Sequence, residues 1–180
     1  MRENEFSITW EEKFAEIVYE GGHTIFFERF LLATAIKSLV IISPWISTLS
    51  EENIRLEDIV LTIKKHNVPT TVIMRNPERE QLNIKAAKLF RQCRRNIDLY
   101  FNNELHAKVY VCRCAPFGFA LLGSANLSGR ATRAHEIGIM IEGKGYGREI
   151  VEELDLLGKE DLLNRAGTYQ DPESKKIGFL

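Results

Sequence analysis

The chain of 180 residues is 44% hydrophobic and 27% charged, and its net charge is −1. This length and composition predict a single globular domain over 1–180, with a core of about residues 5–160 and a polar, loosely ordered tail of 164–180. The longest apolar segment, 30–46, is interrupted by Lys37 and by a Ser-Pro, so it is too short and too broken to span a membrane.

The first half of the chain alternates helices with strands. Residues 28–38 carry apolar side chains at helical spacing, and the run LVIIS at 39–43 ends at Pro-Trp as a buried strand does. An amphipathic helix is predicted over 54–66, a β-branched strand over 68–74, and a helix with a basic face over 79–95.

The second half is richer in strands. Strands are predicted at 97–101, 105–112, 117–123 and 135–143, and a charged helix follows over 146–158. Because the early strands alternate with helices and the later ones follow one another closely, we predict an α/β fold in which helices flank a mixed β-sheet.

Positive charge is concentrated in the middle of the chain. From Met74 to Arg133 there are eleven Lys/Arg against four Asp/Glu, a balance of +7, whereas the remainder has thirteen against twenty-one, or −8. This asymmetry predicts a basic surface near residues 105–131 that suits an anionic substrate.

The three cysteines are too few for a disulfide framework, and they indicate a reducing, cytoplasmic compartment. Cys112-x-Cys114 lacks a second pair at zinc-ligand spacing, and no cluster of carboxylates suits magnesium, so we expect neither a metal nor another cofactor. The opening residues lack a basic segment followed by an apolar run, which argues against a signal peptide.

The stretch LHAKVYVCRCAPFGFALLGSANLSGRA, at 105–131, carries the chemistry. By strand alternation His106 and Lys108 share a face, about 6.5 Å apart along the strand. Ser124 and Asn126 share a side if the chain stays extended. Around a phosphate, a neutral imidazole is a nucleophile, lysine adds positive charge, and serine and asparagine donate hydrogen bonds to non-bridging oxygens.

A carboxylate on the rear nitrogen of the histidine would fix its tautomer, as in a nucleophile–base–orienter triad. Glu136, which opens the last predicted strand, is the candidate for that role. His135 would then point to the opposite side of the strand, where a structural or exposed position is expected.

His106-x-Lys108, then Gly123-Ser124-x-Asn126, then Glu136 before a glycine, resembles the phospholipase D superfamily. The wording HAK…GSANLS…HEIG looks most like the small nuclease-type members of that superfamily. The resemblance implies a phospholipase D-like fold and a two-step cleavage of a phosphodiester without a metal. A histidine attacks phosphorus, water releases the phosphohistidine, and a second histidine protonates the leaving oxygen.

The resemblance also implies roles. His106 would be the nucleophile or the acid, Lys108 and Asn126 would hold phosphate oxygens, Ser124 would assist, and Glu136 would orient His106. Family members face two such units toward each other, and this chain carries one unit, so the resemblance implies a homodimer with a shared active site.

Arg113 is a departure from the family pattern, which has an aspartate five residues after the lysine. That aspartate is not thought to touch phosphorus in the family, so chemistry can survive, but the substitution leaves a catalytically impaired site open. Arg113 is either part of a basic surface or a solvated strand end.

Residues outside the motif are candidates for substrate binding. Trp45 follows the carboxyl end of a strand and would either stack a base or pack on its own protein. Arg130 and Arg133 would contact backbone phosphates or cap a short helix, and the basic helix with Lys88 and Arg91 is either a nucleic-acid contact or a solvated face.

The sequence therefore predicts a metal-independent phosphodiesterase, and specifically an endonuclease that cleaves DNA or RNA away from any membrane. Two alternatives stay open. One is a lipid phosphodiesterase of the phospholipase type, and the other is a nucleic-acid-binding module whose catalytic site is impaired.

Overall fold

The computed structural model describes residues 14–47, 54–129 and 135–174. Its centre is an eight-stranded mixed sheet with the strand order β1-β7-β6-β5-β2-β3-β4-β8. The neighbours β2, β3 and β4 are parallel, and every other neighbouring pair is antiparallel. The strands are β1 (Ala15–Tyr19), β2 (Ser38–Ile42), β3 (Thr70–Met74), β4 (Ile97–Asn102), β5 (Val109–Arg113), β6 (Phe119–Gly123), β7 (Ile137–Glu142) and β8 (Thr168–Gln170).

Four α-helices pack on this sheet. A 3₁₀ turn at Gln81–Asn83 leads into the third helix, and a π-helical turn at Leu157–Asp161 extends the fourth. The helices are α1 (Gly22–Leu32), α2 (Leu56–Lys65), α3 (Ile84–Arg91) and α4 (Gly147–Leu156). The prediction of a mixed sheet flanked by helices is therefore confirmed.

The central strand β2 shows how the sheet separates two cores. Its side chains alternate, so that Leu39 and Ile41 join the apolar cluster under α1, α2 and α3, while Val40 and Ile42 join the cluster under α4. All five residues of β2 are buried, which is the pattern of a strand covered on both faces.

All the functional candidates of the motif lie at the same end of the strands. We call this line of strand ends the motif edge, as distinct from the edge strands β1 and β8. It contains the residues that follow β2, β3 and β6 and the residues that precede β5 and β7. The opposite edge, which we call the far edge, contains the residues that precede β2, β3 and β4 and the residues that follow β5 and β7. The strand directions fix this assignment without reference to any side chain.

The helix predicted over 28–38 is displaced in the structure. Helix α1 begins at Gly22, after Gly21 at φ 61, and the chain becomes extended at Ala33. Glycine adopts a positive φ without strain, so the Gly-Gly pair allows the sharp entry into the helix that the sequence pattern did not reveal. Of the apolar residues in the predicted range, Phe30 is fully buried but Leu32 is exposed, and the buried face of the helix continues upstream of that range with Phe26 and Phe27.

The tail predicted from residue 164 is ordered as far as the structure describes it. Residues Thr168–Gln170 pair with β4 as the edge strand β8, and the carboxylate of Asp171 binds Arg91 at 2.7 and 3.0 Å. Strand β1 is a second element that the sequence analysis did not predict. Both are short edge strands that bury few side chains, which leaves a weak pattern in the sequence.

Candidate active site

The His106–Lys108 segment lies just before β5 rather than inside a strand. The predicted strand at 105–112 begins at Val109, although the amide of Gly123 still donates to the Lys108 carbonyl at 3.3 Å. His106 is exposed, and Lys108 is only 9% exposed. The ammonium of Lys108 donates to the carbonyl oxygen of His106 at 2.8 Å, so the lysine closes its own turn and holds the histidine backbone.

Ser124 and Glu136 meet where β6 ends and β7 begins, and Asn126 follows two residues after the serine. The hydroxyl of Ser124 donates to the carboxylate of Glu136 and accepts from the Ile137 amide at 3.1 Å. Because its single proton is directed at Glu136, Ser124 orients that carboxylate, and it can donate to a substrate only by exchanging this bond. The buried oxygen Oδ1 of Asn126 has no hydrogen-bond partner among the described residues. Because Oδ1 is an acceptor, only a hydrogen-bond donor could complete it, whereas the amide nitrogen of Asn126 is the atom that could donate to a phosphate oxygen.

The structure gives no hydrogen bond between Glu136 and His106. The proposed orienting role of Glu136 therefore stays a prediction. His135 is exposed on the other side, where Nδ1 lies 3.1 Å from a carboxylate oxygen of Glu20. This position agrees with the expectation that His135 and Glu136 point apart.

Two buried side chains hold the turn that carries the serine and the asparagine. The hydroxyl of Tyr110 donates to the carbonyl of Ala125 at 2.9 Å, and the hydroxyl of Ser43 accepts from the Leu127 amide at 3.1 Å. Burial raises the pKa of Tyr110, so the hydroxyl stays protonated and remains a donor. The sequence analysis missed both residues, since a tyrosine inside a strand and a serine at a strand end have no distinctive spacing.

Asn83 joins the two neighbouring loops at the motif edge. Its Oδ1 accepts from the Ile46 amide at 2.7 Å, while Nδ2 donates to the carbonyls of Pro44 at 2.9 Å and Arg75 at 2.8 Å. The side chain is fully buried. It therefore fixes the loop that carries Trp45 against the end of β3.

Arg75 is the functional candidate that the sequence analysis overlooked. Its guanidinium carbon lies 4.7 Å from the centroid of the Trp45 ring, its Nε donates to the Leu105 carbonyl at 2.9 Å, and its Nη1 lies 3.3 Å from Glu80. The arginine thus contacts both the tryptophan loop and the histidine segment. The position directly after β3, at the carboxyl end of a parallel strand, was the available signal.

The pKa of Lys108 is shifted by the groups around it. Burial lowers the pKa of the Lys108 ammonium, the carboxylate of Glu136 opposes that change, and the positive charge of Arg75 reinforces it. A lysine that is buried beside an exposed histidine, with acid and arginine nearby, is the arrangement expected where an anionic group binds.

The remaining predicted contacts are spread over the molecule. Arg130 and Arg133 lie outside the described residues. Lys88 is exposed on α3, and Arg91, at the end of α3, forms ion pairs with Asp171 and Glu173.

The basic helix predicted over 79–95 is shorter than expected, because α3 ends at Arg91 and leaves Arg95 beyond it. Arg113 belongs to the far edge. It lies 3.3 Å from Glu152 and 3.8 Å from Asp155, and five residue steps along an extended chain separate it from Lys108 by about 17 Å. The departure from the family pattern thus lies away from the groups that could touch a phosphate.

In residues 14–47, 54–129 and 135–174 no three metal-ligating side chains come together. Within the same ranges no helix combines the length and the apolar composition needed to cross a bilayer.

Comparison with known proteins identifies relatives by sequence profile and by fold. The profile of the family described as "Cardiolipin synthase, PLD-like domain" matches residues 30–157. No curated protein sequence matches the chain.

Among solved structures, Nuc from Salmonella typhimurium, a phospholipase D family member, is 14% identical with a TM-score of 0.55, over 87% of this chain and 98% of Nuc. NucT from Helicobacter pylori is 15% identical with a TM-score of 0.51, over 82% and 94%. Phosphatidylserine synthase from Haemophilus influenzae is 16% identical with a TM-score of 0.55, over 87% and 39%.

At these identities the solved structures bear on the fold alone, and they agree with the mixed sheet described above. The profile match covers more than half of the chain and includes the segment with the histidine, lysine, serine and asparagine. The chain therefore belongs to the family of PLD-like domains, within the phospholipase D superfamily.

Proposed function

We propose that this PLD-like domain is a metal-independent phosphodiesterase and that its substrate is a nucleic acid. The observation that carries the proposal is the placement of His106 and Lys108, just before β5, beside Ser124 and Asn126, just after β6, at one end of the strands. Such a cluster suits a phosphate, because it combines an accessible imidazole with a positive charge and amide groups.

In the proposed reaction the imidazole of His106 attacks phosphorus, so that an N–P bond forms and the bond to the leaving oxygen breaks. A second histidine gives its proton to that oxygen. The same histidine then takes a proton from water, which attacks the phosphohistidine, releases the phosphate product and restores the imidazole. Lys108 and Asn126 bind the non-bridging oxygens, and each well-aimed donor contributes about 3 kcal/mol to the transition state.

The second histidine is proposed to come from another copy of this chain. An exposed apolar face lies beside Ser124 and Glu136, on the strands β1 and β7 at the motif edge. Its large side chains are between 47% and 70% exposed, which is unusual for a surface that contacts only water. They are Ile17, Tyr19, Ile137 and Ile139. Contact between two such faces would bring two motif edges together around a two-fold axis.

Nucleic acid is the favoured substrate because of the +7 balance of residues 74–133 and the nuclease-like wording of the motif. Two proteins of similar fold, Nuc and NucT, are covered by this chain over nearly their whole length. The apolar face beside the site favours a lipid phosphodiester instead, as do the cardiolipin synthase of the family description and the similar fold of phosphatidylserine synthase. The substrate test must therefore include a lipid.

The deciding experiment incubates the full chain with EDTA on labelled single- and double-stranded DNA, on RNA and on a short-chain phosphatidylcholine. We expect cleavage of at least one nucleic acid, unaffected by EDTA and abolished by His106→Ala. His135→Ala is the matched control, since that histidine is exposed nearby but outside the motif. Activity that requires added magnesium, or that acts on the lipid alone, would contradict the proposal.

Dimer formation is tested separately by light scattering. Ile137→Lys with Ile139→Lys should yield a monomer with the cleavage activity lost, because each site lacks its second histidine. Leu61→Lys, on α2, changes an equally exposed apolar residue and should leave the dimer intact. A wild-type chain that stays monomeric at micromolar concentration while cleaving would refute the shared site.

A further inference from the structure

Several exposed cations lie at the far edge of the sheet, away from the motif. At the motif edge, Arg75 and Lys108 are matched by carboxylates of Glu80, Glu104 and Glu136. At the far edge, exposed cations precede the parallel strands or begin α4. They are Lys37, Lys64, Arg94, Arg95 and Arg148. Part of the chain's positive charge therefore lies on the opposite side from the proposed chemistry, while Arg130 and Arg133 of the expected basic surface lie outside the described residues.

These cations belong to one continuous edge. The amide of Lys37 donates to the Arg113 carbonyl at 2.7 Å, which joins the segment before β2 to the end of β5. The amide of Leu39 donates to the carbonyl of Pro69 at 3.0 Å, and the amide of Thr70 donates to that of Asn96 at 2.7 Å. The segments that precede β2, β3 and β4 are thus successive neighbours along the edge.

Two grooves open along this edge. The groove before β3 and β4 has a volume of about 390 Å³ and is lined by Lys64, Arg94 and Arg95, with amide side chains and Cys93 and no carboxylate. The groove before β2 has a volume of about 430 Å³, and its charged lining consists of four cations and one acid. These are Lys37, Arg113, Lys144, Arg148 and Glu152.

Two acids of the far edge are held by arginines, and one of these arginines is Arg148 itself. Glu152 lies 3.3 Å from both Arg113 and Arg148, and Glu142 accepts from Arg29 at 2.9 Å. No such pairing involves the cations of the other groove. In the described part of the chain, Lys64, Arg94 and Arg95 form no ion pair. Three positive charges in a groove without an acid favour binding of a polyanion.

We propose that the far edge is a second nucleic-acid-binding surface, which contacts the phosphate backbone of a duplex without reading its bases. From β7 to β4 the edge crosses five strand spacings, or roughly 24 Å, which corresponds to about seven base-pair steps of 3.4 Å. Lysine and arginine on such a line neutralise phosphates irrespective of sequence. A single large apolar side chain, Phe117, is exposed in these grooves, which is too little apolar surface to favour a membrane.

This surface shares with the proposed function the assumption that the partner is nucleic acid, but it does not require the chemistry of His106. The two proposals can therefore fail separately. Binding is measured by fluorescence anisotropy of a labelled 24-base-pair DNA duplex, over a series of salt concentrations, in the His106→Ala background so that the probe stays intact.

The test compares two matched pairs of substitutions in the full chain. Arg94→Gln with Arg95→Gln removes two charges from the far edge, and Arg79→Gln with Arg165→Gln removes two exposed arginines near the motif edge. We expect the far-edge pair to weaken binding on the order of tenfold and to reduce the slope of log K against log salt by about 2 units. The control pair should leave the slope unchanged, and both variants should keep the wild-type denaturation midpoint.

Equal losses in the two pairs would show that net charge alone drives binding and would overturn the inference. The same holds if vesicles of phosphatidylserine and phosphatidylcholine compete for the far edge as strongly as the duplex does. If the chain that keeps His106 cleaves normally in EDTA, but the far-edge pair leaves the salt slope unchanged, the far-edge proposal fails and the phosphodiesterase stands. If the far-edge pair reduces the salt slope but the chain that keeps His106 cleaves no substrate, the far edge is supported and the phosphodiesterase is contradicted.

Discussion

Asn83→Ala tests whether one buried side chain holds the loops at the motif edge. Three hydrogen bonds disappear in this variant, namely those to the Ile46 amide and to the carbonyls of Pro44 and Arg75. Each is worth roughly 0.5–1.5 kcal/mol, so the free energy of unfolding should fall by about 3 kcal/mol. For a chain of this size that loss lowers the melting temperature by roughly 6–12 °C.

Asn83→Asp is the sharper variant. The carboxylate keeps an acceptor for the Ile46 amide, but it places an oxygen where the amide group donates to the carbonyls of Pro44 and Arg75. An unpaired buried charge then faces two acceptors, which costs more than removal of the side chain. We therefore expect the order wild type, Asn83→Ala, Asn83→Asp in decreasing stability.

The measurement is urea unfolding followed by circular dichroism, with Asn164→Ala as control, because Asn164 is exposed. Cleavage should also decline in Asn83→Ala, since the loop with Trp45 and the end of β3 with Arg75 lose their common anchor. If Asn83→Ala unfolds within about 0.5 kcal/mol of wild type, the three bonds do not hold the motif edge and the reasoning is refuted.

Three further predictions concern ionisable groups. Asp171→Ala should destabilise the chain by about 3 kcal/mol in the same unfolding assay, because it removes the buried carboxylate that binds Arg91 and leaves that arginine with the exposed Glu173, and a change below 1 kcal/mol would contradict this. Because the pKa of Lys108 is lowered, the cleavage rate should fall on the alkaline side at a pH below the pKa of an ordinary lysine. Arg75→Gln removes a repelling positive charge, so it should move that fall to higher pH. A hydrogen bond from Cys112 lowers the pKa of Cys114 to about 7. Iodoacetamide should therefore label Cys114 first, with the midpoint of its labelling rate near pH 7, as followed by mass spectrometry. Equal labelling of the buried Cys112 would refute this.

The fold could be predicted from the sequence where the apolar pattern was strong. Strands β2 and β3 were predicted to within a few residues, because every side chain in them is buried and their β-branched runs are distinct. Strands β1 and β8 were missed, because edge strands of five and three residues bury little. Helix α1 was displaced because its start depends on the backbone of Gly21 rather than on apolar spacing.

The candidate site was predictable only in part, for a related reason. His106, Lys108, Ser124 and Asn126 carry chemistry that a sequence shows directly, and they resemble a family motif. The residues that hold these four in place show no such motif. Asn83 and Ser43 act through hydrogen bonds to the backbone of loops that are distant in the chain, so the interaction exists only after the sheet has formed.

Charge illustrates the same limit and leads to the arrangement that the two proposals describe together. The +7 balance of residues 74–133 was assigned to the neighbourhood of the motif, but strand direction sends Arg94 and Arg95 of that segment to the far edge, while Arg130 and Arg133 lie outside the described residues. If the motif edges of two copies meet at the apolar face of Ile137 and Ile139, the two far edges point away from the axis. A duplex bound there lies outside the shared site, so binding and cleavage would engage different segments of one nucleic acid. Long substrates would then gain affinity from the far edges, whereas a short phosphodiester would be cleaved equally well with or without them.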